Sequence, residues 1–201
     1  AALRGFGVDD AFVGTHPALR TPIVFCEIFP PDDFPLLFYR EPTAPDMTIA
    51  TDELDFDAIR AARVFWTTGT GLSAEPSRSA TLAALAARDA AGSDAITVHD
   101  LDHRPMFWSD ESEAGVWARR ALSHATVAVG NRDEVAVAVG TRDTHEASAA
   151  LLDLGVRIAI VKQGPAGVLV RTADGIAEVP PVEVEVVNGL GAGDAFGGAL
   201  C

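Results

Sequence analysis

Three glycines and an aspartate near residue 190 have the clearest chemical potential in this sequence. Gly189, Gly191 and Gly193 alternate with apolar residues in the string NGLGAGDAFGGAL, and Asp194 follows them directly. Because glycine lets a backbone pass close to a ligand, several N–H groups of such a loop can point at one anion. A helix that begins near Asp194 adds its positive N-terminal end, and such a place binds phosphate. A carboxylate held there is suited to accept a proton from a sugar hydroxyl.

Other glycine-rich loops fit the string less well. No Gly-Lys-Ser/Thr follows, which excludes the Walker loop, and the dinucleotide fingerprint would not occur at a last predicted strand without a downstream acidic partner. A tight turn before a closely packed helix remains the alternative interpretation of a short glycine run.

The elements that must position this loop alternate along the chain. Strands are predicted in RVFWTTG, AITVHDLD, ATVAVGN, RIAIVKQG and VEVEVV, and helices in DFDAIRAA, EPSRSATLAALAARDAAG, SDESEAGVWARRALSH, RDEVAVAVG and THEASAALLDLG. GVLVRTADGIAEVPP predicts a hairpin turned at Asp174 and Gly175. Strands that alternate with helices predict an α/β fold with a mostly parallel sheet covered on both faces, whose ligands bind at the carboxyl ends of the strands.

Polar residues cluster where these strands end, and we expect them to form one rim. The rim segments are Thr67–Gly71, Asp100–Arg104, Asn131–Glu134, Lys162–Gly167 and Gly189–Asp194. His99, Asp100, Asp102 and His103 do not predict a metal cluster, because adjacent residues on a strand point to opposite faces.

The first 50 residues have a different pattern. Thr21–Ile28 and Pro35–Arg40 are β-prone runs separated by PPDDF, which predicts a hairpin with a longer loop. An unpatterned stretch follows and predicts a linker that ends at a helix N-cap, Thr51 or Asp52. We therefore expect a small β element in residues 1–50 and an α/β core in residues 51–201.

Charge and composition restrict the function classes. The 201 residues carry 15 basic and 29 acidic side chains, so the net charge of −14 repels nucleic acids and anionic membranes. The two cysteines lack metal-type spacing, and no run reaches roughly 18 apolar residues, so the cytoplasm is the expected location. The chain begins without methionine and stops inside an apolar, glycine-rich segment, so we expect it to be the middle of a longer protein.

NGLGAGDAFGGAL resembles the C-terminal signature of the ribokinase/PfkB superfamily of carbohydrate kinases, DTxGAGDxFxGA, with Asn-Gly in place of the usual Asp-Thr pair. The resemblance implies a ribokinase-like three-layer α/β/α fold with a small β lid. It implies that Asp194 is the catalytic base and that the transferred phosphoryl group is bound by an anion hole of Gly191, Ala192 and Gly193.

Two further segments resemble nucleotide-binding elements of the superfamily. GNRDE is similar to the NxxE element, which implies that Asn131 and Glu134 hold Mg²⁺ and phosphates through water. VKQGPAG is similar to the segment that leads ATP past the sheet, which implies that Lys162 and Gly164 bind ATP. The alternatives are that Glu134 only caps its helix and that Lys162 is a solvated strand end.

Two other segments resemble substrate-binding elements. DLDHRPMFW is similar to DxNxRxxLW of the keto-deoxy-sugar-acid kinases, which implies that Arg104 contacts substrate, with Asp102 where asparagine is commoner. The early hairpin fits the lid, and Phe38 and Arg40 match its substrate stretch. Either arginine can instead pair only with a nearby carboxylate.

The run from GTHPALR to APDMTI is most similar to the superfamily members that phosphorylate 5-dehydro-2-deoxygluconate in inositol catabolism. The resemblance implies ATP and Mg²⁺ as cofactors, a sugar acid phosphorylated at its primary hydroxyl to the 6-phosphate, and Arg40 and Arg104 as the groups that accept an anion. The alternative substrates are 2-keto-3-deoxygluconate, fructose or ribose, and a non-catalytic sugar- or nucleotide-binding relative is a further alternative. The resemblance also allows K⁺ as a cofactor and a homodimer through the lid.

Overall fold

The computed structural model describes residues 2–30, 33–41, 43–90 and 94–201. Its main sheet has six strands, which lie side by side in the order in which they follow along the chain. The first four run parallel, and the last two add antiparallel pairings at one edge. The strands are β3 (Val64–Thr68), β4 (Ile96–Asp100), β5 (Val127–Asn131), β6 (Ile158–Lys162), β7 (Val168–Thr172) and β8 (Gly175–Val179).

A separate two-stranded antiparallel sheet precedes the main sheet and is here called the lid. It consists of β1 (Ile23–Cys26) and β2 (Leu36–Tyr39), as the sequence predicts. Residues 31 and 32 of the predicted hairpin loop lie outside the described residues. Side chains alternate along a strand, so the lid has two faces. One face carries Val24, Cys26, Leu36 and Phe38 and turns towards the main sheet, whereas Ile23, Phe25, Leu37 and Tyr39 are exposed on the other.

Seven α-helices lie in the described residues, and none of them has the length and apolar character to cross a membrane. They are α1 (Ala2–Gly5), α2 (Phe56–Ala61), α3 (Ser77–Arg88), α4 (Glu111–Leu122), α5 (Arg132–Val139), α6 (Thr144–Asp153) and α7 (Ala192–Leu200). Short 3₁₀ helices span Pro45–Thr48, Thr51–Glu53, Gly69–Leu72, Pro105–Phe107 and Gly164–Ala166. The last residues of the helix predicted before β4, residues 91 and 92, lie outside the described part of the chain.

Hydrophobic clusters lie on both faces of the main sheet. On one face, side chains of α4, α5 and α6 pack on β5 and β6, with Leu122, Val135 and Leu151 fully buried. On the other face, Val98 and Val129 contact a cluster that Phe196 of α7 joins. The sheet therefore has α4, α5 and α6 on one face and α7 on the other, in agreement with the predicted α/β fold and mostly parallel sheet.

Three local predictions differ from the structure. VEVEVV, residues 182–187, is exposed and forms no strand, because a strand needs a neighbouring backbone to pair with and none lies beside it in the described residues. The α-helix after the linker is capped by Asp55, which accepts the Ala58 N–H at 2.9 Å, while Thr51 and Asp52 lie in a 3₁₀ helix. The β7–β8 turn consists of residues 173 and 174, and Gly175 already pairs with Thr172.

Candidate active site

A cavity of about 800 Å³ lies between the lid and the carboxyl ends of the strands. All five predicted rim segments contribute to its wall, although the fifth is a loop end rather than a strand end. The polar residues of the wall are Arg40, Thr68, Thr70, Asp100, Asp102, Arg104, Glu134, Lys162 and Asp194. The sequence prediction that these segments share one rim is therefore confirmed by their position.

The glycine loop leads into α7 at the edge of this cavity. Gly191 caps the helix with φ +82°, a left-handed conformation that glycine adopts without strain. The Ala192 N–H donates to the Gly189 carbonyl at 3.2 Å, whereas the N–H groups of Gly193 and Asp194 find no acceptor among the described residues. Two free amides and the helix dipole thus give this end of α7 a positive potential.

Asp194 lies in the first turn of α7, with its side chain exposed at the cavity wall. The rim position predicted for this carboxylate is therefore observed. Lys162, at the end of β6, approaches the same loop, since a Cβ added to Gly193 would lie 3.8 Å from Lys162 Nζ. An anion at this loop would meet an ammonium group as well as amides.

A buried group of charges lies beside the glycine loop. Lys162 Nζ is 3.9 Å from Glu134 Oε2, and both side chains are largely buried. Asp100, at the end of β4, has a pKa raised to about 6, first because burial disfavours its charged form and then because Glu134 and Asp102 are nearby; Lys162 opposes this rise. The Lys162 ammonium therefore partly compensates the negative charges of Glu134 and Asp100.

Asn131 and Glu134 form a capping box at the start of α5. Asn131 Oδ1 accepts the N–H groups of Asp133 and Glu134, both at 2.9 Å, and Glu134 Oε2 accepts the Asn131 N–H at 2.7 Å. Glu134 also lines the cavity, but Asn131 is not among the described residues of its wall. Glu134 therefore caps its helix and also has a place in the cavity wall, so capping is not its only contact.

Gly164 lies on the connection between β6 and β7, away from the described cavity wall. Its φ of +58° lies in the left-handed region, and the loop closes where the Gln163 N–H donates to the Gly167 carbonyl at 2.8 Å. The structure therefore does not bring Gly164 together with the other predicted site residues.

Arg104 enters the cavity wall as half of an ion pair. Its Nη2 is 2.8 Å from Asp102 Oδ1, and the Thr70 hydroxyl donates to Asp102 Oδ2 at 2.6 Å. Arg40, on the lid side, pairs with Asp46. The predicted pairing of each arginine with a carboxylate is observed, and both side chains still line the cavity.

The lid and its loop contact the segments at the rim of the main sheet through aromatic rings. Phe107 lies beneath the lid, with the Phe38 ring edge-on at 5.5 Å and the Arg40 guanidinium 5.4 Å from its centroid. Phe34 contacts the glycine loop, because a Cβ added to Gly189 would lie 2.8 Å from its ring. The predicted substrate residues Phe38 and Arg40 are therefore held against the same rim.

Sequence reasoning did not select Asp100, Thr70, Phe34 and Phe107 as site residues, although all four line the cavity. Asp100 and Thr70 lie in predicted rim segments, so their place at strand ends was the available signal. The two phenylalanines had no comparable signal, because an apolar wall residue and a core residue have the same pattern.

No group of three or more His, Cys, Asp or Glu residues in the described ranges forms a metal site by itself. Glu134 and Asp100 nevertheless offer carboxylate oxygens to the cavity, and hard cations such as Mg²⁺ prefer oxygen ligands and retain several waters. The donor set therefore fits a Mg²⁺ ion that is held mainly through water and phosphate. Asn131 fits less well, since its side-chain oxygen already accepts two amides.

Comparison with known proteins agrees with this architecture. The 5-dehydro-2-deoxygluconokinase of Photobacterium profundum is 32% identical over 197 residues, which are 95% of this chain and 58% of that protein. A fructokinase double mutant from Vibrio cholerae O395, crystallised with fructose, ADP and potassium ion, has 25% identity and a TM-score of 0.84 over 99% of this chain and 63% of its own. A PfkB protein from Polaromonas sp. JS666, at 21% identity, shares the fold with a TM-score of 0.83, over 98% of this chain and 64% of its own.

The chain thus spans about three-fifths of the length of these proteins. The family model described as pfkB family carbohydrate kinase matches residues 1–201. This protein therefore belongs to the pfkB family of carbohydrate kinases.

Proposed function

We propose that this protein transfers the γ-phosphoryl group of ATP to the primary hydroxyl of a sugar acid, 5-dehydro-2-deoxygluconate, to give its 6-phosphate. The observation that carries the proposal is the place of Asp194, whose carboxylate lines the cavity at the positive end of α7. Relatives from several bacteria are named 5-dehydro-2-deoxygluconokinase, and this name supports the choice of sugar.

Asp194 acts as the base in this proposal. Its carboxylate takes the hydroxyl proton, the oxygen attacks the γ-phosphorus in line, and the bond from that phosphorus to the ADP oxygen breaks. The amides of Gly193 and Asp194, together with the Lys162 ammonium, stabilise the charge of the phosphoryl group in transfer. Gly191 supplies the turn that aims these amides, and Ala192 begins the helix.

Lys162, Glu134 and Asp100 form the phosphate side of the cavity. Glu134, with Asp100 beside it, would hold Mg²⁺ through water. Asn131 would contribute to this site through the capping box, which fixes the backbone and side chain of Glu134. Mg²⁺ would neutralise phosphate charge when bound. Gly164 is proposed to contact ATP from the β6–β7 connection.

The lid side of the cavity is the proposed sugar site. Phe38, Arg40 and Arg104 face this space, and two guanidinium groups supply N–H donors for the carboxylate and hydroxyls of an anionic sugar. The lid would also exclude water and so limit ATP hydrolysis.

The proposal is tested with a panel of acceptors and ATP, measured by coupled ADP release. We expect the highest kcat/KM with 5-dehydro-2-deoxygluconate and lower values with 2-keto-3-deoxygluconate, fructose and ribose. Equal or better turnover of a neutral sugar would reject the substrate assignment and leave a kinase of another specificity.

Replacing K⁺ by Na⁺ in the same assay tests whether K⁺ is required, as the potassium-containing fructokinase neighbour suggests for this chain.

Residues 1–50 are proposed to form the lid and its flanks, and residues 51–201 part of the catalytic core.

The outward face of the lid carries Ile23, Phe25, Leu37 and Tyr39, each 57–59% exposed and paired across the two strands. We propose that a second copy of the protein covers this apolar face in a homodimer. Sedimentation of wild type and Phe25→Asp tests the homodimer, and a wild type that stays monomeric at high concentration would refute it.

The cytoplasm is the proposed compartment, because ATP is the phosphoryl donor.

A further inference from the structure

Both carboxylate oxygens of Asp102 are engaged inside the cavity wall. Oδ1 accepts from Arg104 Nη2 at 2.8 Å, and Oδ2 accepts from the Thr70 hydroxyl at 2.6 Å. The Asp102 side chain is only 20% exposed, and all three residues line the cavity. Thr70 comes from the 3₁₀ helix after β3, so this contact ties two neighbouring strand ends together.

The backbone at Asp102 is held in an uncommon conformation. Its φ of +27° is the single positive value for a non-glycine residue in the described part of the chain. A Cβ added to Gly69 would overlap the Leu101 carbonyl oxygen, so the strand-end loop of β3 packs closely against this segment. Such local strain persists where the surroundings fix it and is concentrated at functional sites.

The ion pair changes what Arg104 presents to a ligand. A guanidinium group has five N–H donors in a rigid plane, so a bond to one carboxylate oxygen orients the plane and leaves other donors available. The carboxylate also offsets the positive charge that an anionic ligand would feel. Thr70 fixes the carboxylate and thereby the direction of the guanidinium.

We propose that Asp102 is a positioning residue that aims Arg104 at the acceptor sugar and, by offsetting its charge, sets the preference of the site between anionic and neutral sugars. This inference rests on the proposed sugar kinase function and refines it. An aspartate at position 102 favours hydrogen bonds from Arg104 to uncharged hydroxyl and carbonyl oxygens of the sugar. It also weakens the attraction of Arg104 for a carboxylate. An asparagine of the same shape at position 102 would leave the charge of Arg104 uncompensated.

The test compares Asp102→Asn with Thr70→Val and with Asp57→Asn. Asp102→Asn keeps the shape of the side chain and removes the charge, whereas Thr70→Val keeps the charge and removes the anchoring hydroxyl. Asp57→Asn is the matched control, because it breaks an Asp–Arg pair on the surface, where Asp57 is 94% exposed. For each protein, kcat and KM are measured with the sugar acid and with fructose at low and high salt.

We expect Asp102→Asn to raise the preference for the sugar acid over fructose about three- to tenfold, mainly through KM, and to make that KM more sensitive to salt. Thr70→Val should raise both KM values by similar factors and leave the preference unchanged. Asp57→Asn should behave as wild type. An unchanged preference and salt dependence in Asp102→Asn, or unchanged KM values in Thr70→Val, would overturn the inference.

Two readouts separate this inference from the proposed function. The affinities for both sugars are measured by calorimetry, and the rate of Arg104 modification by phenylglyoxal is measured by peptide mass spectrometry. If wild type phosphorylates no sugar, the proposed function fails, yet Asp102→Asn should still increase the Arg104 modification rate about three- to tenfold. An unchanged modification rate would overturn the positioning role whatever the activity.

Discussion

Gly197 lies directly against the indole ring of Trp66, so that a Cβ added to Gly197 would be 2.9 Å from Trp66 Cη2. Trp66 is in the middle of β3, and Gly197 is the buried residue of α7. The absence of a side chain at position 197 therefore lets α7 pack close to the sheet. Because Asp194 is one turn earlier on the same helix, this contact helps to fix the position of the proposed base.

We predict that Gly197→Ala destabilises the protein and lowers its activity. The added methyl group must displace the ring or the helix, and overpacking of this kind costs about 1–3 kcal/mol. Thermal unfolding and kcat are the measurements. Gly198→Ala is the matched control for stability, since a Cβ there meets nothing within 4 Å, and its unfolding temperature should be unchanged or slightly raised. Equal effects of the two substitutions would contradict the packing argument.

Phe107→Ala should weaken the sugar site. The substitution removes the ring that contacts both Phe38 and Arg40, and an aromatic pair with a cation–π contact contributes about 1–2.5 kcal/mol. We expect kcat/KM for the sugar to fall about 5- to 50-fold, and ATP hydrolysis without sugar to rise relative to transfer. Phe6→Ala, at a ring that is 84% exposed, is the control for loss of a phenylalanine. The same kinetics in the two variants would contradict the proposed role of the lid.

The stability of the protein should respond to acid through two groups with opposite effects. Burial lowers the pKa of His99 to about 4 from 6.5, so the unfolded chain binds the extra proton and the free energy of unfolding falls as the pH drops from 6.5 to 4. The pKa of Asp100 is raised to about 6 from 3.8, so the folded chain binds that proton first and stability rises as the pH drops through 6. The two effects oppose each other between pH 6 and 4.

Asp100→Asn should therefore make the loss of stability in acid steeper. Without the Asp100 contribution, the His99 contribution is no longer offset by Asp100, and its slope is up to about 1.4 kcal/mol per pH unit between pH 6 and 4. The variant should also be more stable than wild type at pH 7, where the ionised Asp100 carboxylate is buried at a cost. Urea unfolding from pH 4 to 7 measures both effects, with Asp57→Asn as control. Parallel stability profiles for wild type and Asp100→Asn would refute the linkage.

The sequence predicted most of the fold because its signals were local. The alternation of buried strands with alanine-rich helices identifies β3 to β6 and their helices, and the rule that ligands bind at carboxyl ends brings Asp100, Glu134 and Lys162 to one cavity. The strand predicted for VEVEVV is wrong because alternating side chains do not show whether a neighbouring strand is available for pairing. Asp55 was missed as a cap because Thr51 and Asp52 have equally suitable side chains.

The partners of the site residues could not be predicted from local patterns. Arg104 pairs with Asp102 two residues away, but the Thr70 hydroxyl that anchors this carboxylate is 32 residues distant. The close approach of Lys162 to Gly193 likewise depends on how α7 packs on the sheet. Such contacts follow from tertiary packing, for which the sequence alone gives no spacing rule.

The most direct test of the central claim compares wild type with Asp194→Asn in ATP-dependent phosphorylation of 5-dehydro-2-deoxygluconate, followed by ³¹P NMR of the sugar phosphate. Asn keeps the shape of the side chain but cannot accept the hydroxyl proton, so we predict that kcat falls about 10²- to 10⁴-fold while KM for ATP changes little. Asp174→Asn, in the β7–β8 turn, is the control and should keep full activity. Unaltered phosphorylation by Asp194→Asn would contradict the assignment of this carboxylate as the base.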